Sequence, residues 1–137
     1  MEYLFIYGTL LDEKYNPVSD ILKTSTCEKA SGFILGRLYD LGDYPAAVGS
    51  NNLNEKVYGK LLEVKDSNTL FPALDAYEGA GKLSEIESGY SRKQTRVILD
   101  GGDIVSAWTY LYSESTEGLV WIQSGDYLQY LENKETE

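Results

Sequence analysis

The chain has 137 residues, 42% hydrophobic and 25% charged, with 12 basic against 22 acidic side chains and a formal charge of −10. That is one domain's worth of chain, with enough apolar material for a core that needs neither disulfides nor a structural metal. The charge argues against nucleic acid or an anionic membrane surface as partner, since no basic cluster offsets it. There is no His, so His-based triads, Cys-His dyads and His-ligated metals are excluded, and the single Cys27 can form no internal disulfide. Cys27 itself, with no base to activate it, reads as a small apolar residue.

The N-terminus has no basic n-region, and its apolar run is too short for a signal peptide. No stretch reaches the ~18 apolar residues that a membrane span needs. The expectation is a soluble, cytoplasmic protein.

In chain order, Glu2 to Thr9 reads as a strand in which Tyr3, Phe5 and Tyr7 alternate with Leu4 and Ile6, both faces buried. Gly8 ends it. Asn16-Pro17 looks like a helix start, with Val18, Ile21 and Leu22 along one face of a short helix. Ser31 to Leu41 is a second strand, whose Gly32 and Gly36 suggest a bend or a close backbone approach. After the turn at Gly42-Asp43, Tyr44 to Val48 is a short extended piece broken by Pro45. Val57 to Val64 is another strand.

Leu70, Leu74 and Tyr77 mark a short helix ending at Gly79, its start obscured by Pro72. Ala80 to Gly89 is a loop. Tyr90 to Leu99 and Ile104 to Tyr112 flank Asp100-Gly101-Gly102-Asp103 and should form a hairpin. Ser124 could cap a last helix through Tyr127, Leu128 and Leu131. The expectation is one domain over residues 1–131 with a charged tail at 132–137. Its fold class is α+β: a small, mixed, mostly antiparallel β-barrel flanked by short helices.

With no His, acid-base chemistry falls to a carboxylate, Lys, Tyr, a terminus or water. Asp75 and Glu78 are three apart on the proposed helix, and Glu78 lies at its C-terminal end. The negative end of the helix dipole and a neighbouring carboxylate both push a carboxyl pKa upward, which suits a general base. A solvated surface glutamate is the plainer reading, yet Glu78 is the best base the chain offers. Tyr7-Gly8-Thr9-Leu10 leaves the first strand through a glycine, where successive N–H groups could converge on an anion; a plain turn is the alternative. Tyr90 and Arg92, two apart on a strand, face one side and could meet a polar ligand, or Arg92 could simply neutralise a carboxylate. The 12 tyrosines read mainly as half-buried strand residues, with Tyr90, Tyr110 and Tyr112 as possible cavity walls.

These motifs together resemble the gamma-glutamylcyclotransferase-like family, in particular its small bacterial-type or gamma-glutamylamine cyclotransferase-like members. The resemblance rests on Tyr7-Gly8-Thr9-Leu10, the run from Gly36 to Ala46, Leu74-Asp75-Ala76-Tyr77-Glu78-Gly79, Tyr90-Ser91-Arg92 and Ser124-Gly125-Asp126-Tyr127 in that order. It covers nearly the whole chain. It implies a barrel with its cavity at one end and a loop at Tyr7, Gly8, Thr9 and Leu10 whose backbone binds a γ-glutamyl or 5-oxoproline group. Glu78 would then be the proton acceptor, with Tyr90 as a substrate contact. The implied partner is a small γ-glutamyl amine, with neither metal nor cofactor. The substrate's own α-amine would attack its γ-amide carbonyl and leave 5-oxoproline. A non-catalytic small-ligand binder on the same fold is the rival, and an interaction module using an edge strand is a third reading.

Overall fold

The computed structural model describes residues 2–7, 19–41, 45–78 and 90–135, with the backbone alone at 19–20, 75–78 and 134–135. The strands are β1 (Glu2–Ile6), β2 (Thr26–Asp40), β3 (Pro45–Gly49), β4 (Lys56–Val64), β5 (Tyr90–Leu99), β6 (Ile104–Tyr112) and β7 (Val120–Ile122). The helices are α1 (Ser19–Ser25), α2 (Ser67–Glu78) and α3 (Tyr127–Glu135). α3 therefore runs on into the charged stretch.

β1 is the axis of the architecture. It pairs antiparallel with β4, from Glu2 opposite Val64 to Ile6 opposite Lys60, and parallel with β6 at Leu4 and Trp108. β4 pairs with β2, β6 with β5, and β5 returns to β2 at Gly32–Leu99 and Phe33–Ile98. Five strands thus close into a barrel in the order β2-β4-β1-β6-β5, mixed but mostly antiparallel, as expected from the sequence. β3 and β7 both pair with residues 36–40 of β2, beyond the barrel proper.

Closure brings backbones into contact at glycines. A Cβ at Gly32 would lie 2.5 Å from the carbonyl oxygen of Ile98, on the β2–β5 seam. One at Gly59 would strike the Ile6 carbonyl and lie 2.7 Å from the Phe5 ring. The sheet can bend onto itself only because those side chains are missing.

The alternation of β1 separates two cores. Phe5 and Tyr7 point into the barrel, with Ile34, Leu38, Val57, Leu61, Val97 and Ala107. Leu4 and Ile6 point outward beneath the helices, in a second cluster with Leu22, Leu70, Phe71, Leu74 and Tyr110. The hairpin at 100–103 forms as expected, with Gly102 at φ 98°.

Several boundaries differ from the sequence reading. β2 begins at Thr26 rather than Ser31, with an irregularity between Glu28 and Ala30. Cys27 stands on that extension and is exposed. Pro45 does not break an extended piece but opens β3, a position where a strand tolerates proline. Pro72 lies inside α2, which starts at Ser67 with Asp66 as its cap, its carboxylate accepting from the Thr69 N–H at 3.2 Å. The last helix is capped by Asp126, which accepts from the Gln129 N–H at 3.1 Å; Ser124 instead accepts from the Asp126 N–H. β7 was not anticipated, because three residues carry no period. The helix start at Asn16-Pro17 lies outside the described residues.

Candidate active site

One end of the barrel gathers the described ends of several motif-bearing elements, and topology puts them there. β1 and β6 are parallel, so their C-terminal ends, Ile6-Tyr7 and Tyr110 to Tyr112, lie together. β5 is antiparallel to β6, with Tyr90 opposite Tyr112, so β5 starts at the same end. α2 leaves from the opposite end, since Val64 at the close of β4 pairs with Glu2. It then packs outside β1 and β6: Leu74, one turn before Glu78, is fully buried in the cluster holding Ile6 and Tyr110. Phe71, Leu74 and position 78 fall on one helix face, because seven residues turn the helix to within about 20° of two full turns.

Tyr7 is 7% exposed, and its hydroxyl donates to the Tyr110 carbonyl. Thr109, fully buried, donates to the Phe5 carbonyl at 3.0 Å. These side chains reinforce a parallel seam that has a single register pair, Leu4 with Trp108. The C-terminal end of β1 is therefore fixed. Tyr90 is also buried; its hydroxyl donates to the Pro45 carbonyl and its ring meets Tyr112 edge-on at 5.5 Å. That bond ties the start of β5 to the start of β3.

The rim is thus built from the ends of β1 and β6, the starts of β3 and β5, and the end of α2. Tyr7 and Tyr90 are brought to it, and the backbone of Glu78 closes α2. Gly8, Thr9, Leu10 and the side chains of Asp75 and Glu78 lie outside the described residues. Arg92, two residues on and on the same face of β5, has its guanidinium 4.2 Å above the Phe71 ring and 5.0 Å from that of Trp108. Tyr110 is 2% exposed and belongs to the outer core, and its carbonyl accepts from the Tyr7 hydroxyl.

Beyond the barrel, Arg37 on β2 pairs with Glu55 at 2.6 Å, and Glu55 also accepts from the Ser50 hydroxyl at 2.6 Å. The Ser50 hydrogen bond, followed by Arg37, holds the Glu55 carboxyl below the usual carboxylate range. Tyr130 of α3 donates to Asp40 at 2.6 Å. Sequence reasoning missed the Pro45 carbonyl and the Phe71–Arg92–Trp108 stack. A backbone acceptor leaves no trace in a sequence; the stack's signal was an Arg two residues beyond a strand-opening Tyr, opposite an aromatic strand. Among the described residues, no helix is long and apolar enough to cross a membrane, and no three Cys, Asp or Glu gather as a metal-ligand set.

A closed five-stranded mixed barrel with outer helices is the architecture of a γ-glutamylcyclotransferase-like protein. The sequence profile of the gamma-glutamyl cyclotransferase, AIG2-like family matches residues 4–129, and the chain belongs to that family. It is 33% identical to a candidate gamma-glutamylcyclotransferase of Methanocaldococcus jannaschii, over 95% of this chain and 98% of that one. It is also 33% identical to the gamma-glutamylcyclotransferase family protein YtfP of Escherichia coli, over 91% of this chain and 95% of the relative. The solution structure of the E. coli protein superposes with a TM-score of 0.61 at 31% identity, over 93% and 97% of the two chains. An uncharacterised Pyrococcus horikoshii protein shares the fold with a TM-score of 0.66 at 23% identity, over 100% of this chain and 98% of that one.

Proposed function

We propose that the chain is a γ-glutamyl cyclotransferase that releases 5-oxoproline and a free amine from a small γ-glutamyl amine. The observation that carries the reading is the convergence of three separated segments on one barrel end: the exit of β1 before Gly8, the end of α2 at Glu78 and the start of β5 at Tyr90. Membership of the gamma-glutamyl cyclotransferase, AIG2-like family supports this reaction class.

The chemistry suits the residues the chain has. Glu78 takes a proton from the substrate α-ammonium, and the freed amine attacks the γ-carbonyl carbon to form the five-membered ring. The former amide C–N bond then breaks; the leaving amine takes the proton held by Glu78, which is thereby restored, and the ring nitrogen sheds its second proton as the lactam forms. No water is consumed, and no protein nucleophile is needed. Holding the chain folded for ring closure supplies up to about 7–11 kcal/mol of the barrier. The backbone N–H groups of Gly8, Thr9 and Leu10 are assigned to the substrate carboxylate or the developing oxyanion, and Tyr90 to the cavity wall. The bonds from the Tyr7 and Tyr90 hydroxyls to carbonyls are consistent with both rings serving as fixed parts of the rim.

The test is 5-oxoproline release from a panel of γ-glutamyl amines, with wild type beside Glu78→Gln. Release by the wild type alone supports the reaction and the base together. Binding of 5-oxoproline without release from any substrate turns the reading toward a ligand-binding protein on the same fold.

A further inference from the structure

We propose that Arg92 is a positioning residue for this reaction: seated on Phe71, it fixes where α2 holds position 78 at the barrel rim. The inference rests on the assignment of Glu78 as base.

Three elements meet at the Arg92 guanidinium. It comes from β5, lies 4.2 Å from the ring of Phe71 on α2 and 5.0 Å from that of Trp108 on β6. The two rings themselves meet edge-on at 6.2 Å. Trp108 is held from the strand side, its indole N–H donating to the Glu2 carboxylate at 3.1 Å. The strand half of the seat is fixed, so the element that Arg92 locates is the helix.

The helix needs locating. Leu70 and Leu74 bury α2 against the sheet, but apolar burial is non-directional and resists sliding or rolling weakly. Pro72 lacks an N–H and deprives the Asn68 carbonyl of its intrahelical donor, one residue beyond Phe71. The turns beyond that break depend on tertiary contacts. A cation over an aromatic face is directional in a way that the leucines are not. Phe71 also shares its helix face with position 78, about 10.5 Å further along the axis. A shift at Phe71 is carried to the position of the base.

The experiment compares wild type, Arg92→Met, Arg92→Lys, Phe71→Leu and the Arg92→Met/Phe71→Leu double variant. It reads kcat and KM on the best panel substrate, 5-oxoproline affinity, and amide hydrogen exchange at residues 73–78 against the barrel strands. Displacing a base by about 1 Å can cost 100-fold, so Arg92→Met should lower kcat by ~10- to 100-fold while 5-oxoproline affinity holds. Exchange should quicken at 73–78 and not in the strands. Lysine keeps the charge without the plane and should recover part of the loss. The double variant should lose no more than the worse single one, since both act through one contact.

Unchanged exchange at 73–78 in Arg92→Met overturns the proposal. So does a rise in KM at constant kcat, which would make Arg92 a direct substrate contact. A wild type silent on every substrate removes the Glu78 reading, and the exchange arm still decides whether Arg92 sets the helix.

Discussion

The hydroxyl of Tyr7 donates to the backbone carbonyl of Tyr110, joining the exit of the first strand to the sixth across 103 residues of chain. It lies at the one parallel pairing of the barrel, at the C-terminal end of β1. Tyr7→Phe keeps the ring in the barrel and removes the donor, leaving a buried carbonyl without it. We expect a loss of about 1–3 kcal/mol in unfolding free energy, read as a lower urea midpoint at unchanged m-value. A midpoint equal to wild type would mean that the bond does not hold the seam.

Glu78→Gln is nearly isosteric and cannot accept a proton. Removing a general base typically costs 100- to 10,000-fold, and we expect a kcat loss in that range with 5-oxoproline still bound. Isothermal titration beside the release assay separates the two. Turnover at the wild-type rate would remove Glu78 from the mechanism.

At the proposed anion site, Gly8→Val tests whether ligand binding needs a residue without a side chain at that position. The expected result is loss of 5-oxoproline binding in a protein whose circular dichroism matches wild type. Normal binding would move the anion site elsewhere.

What could be read from the sequence follows the physics of each signal. The period-two alternation in residues 3–7 forecast a strand buried on both faces, and Leu4 and Phe5 do lie in different cores. Asp100-Gly101-Gly102-Asp103 forecast its hairpin because a φ of 98° at Gly102 demands glycine. The glycines forecast a bend. Gly32 and Gly59 show its form, a backbone oxygen occupying the place of a Cβ. What stayed hidden is non-local. The extension of β2 back to Thr26 is set by its pairing with β4, not by its own polar residues Glu28 and Lys29. Arg92 was read beside Tyr90 by strand parity, and parity alone could not show that Phe71 of a distant helix would take its guanidinium. Tyr7 and Tyr90 were placed at the site, while the carbonyls that fix their hydroxyls have no signature in sequence.

Glu55 supplies a pH dependence with a definite sign. Its carboxylate accepts from Ser50 and Arg37, and the Arg37 guanidinium also lies 4.5 Å above Trp121 of β7. The cluster therefore ties the segment after β3 to β2 and β7. The folded state holds the Glu55 carboxyl below its ordinary value, first through the Ser50 hydroxyl and then through Arg37. In the unfolded chain the group titrates near its reference value of about 4.3, so between the two values the unfolded state binds more protons. The stabilisation is therefore complete above pH ~4.3 and lost as pH falls through the folded value. Glu55→Gln lacks it at every pH. Urea unfolding followed by tryptophan fluorescence should show wild type more stable than the variant at pH 7, with the gap closing as the pH drops below ~4. A gap that stays constant through the acid range would show that Glu55 contributes through packing and neutral hydrogen bonds, not through its charge.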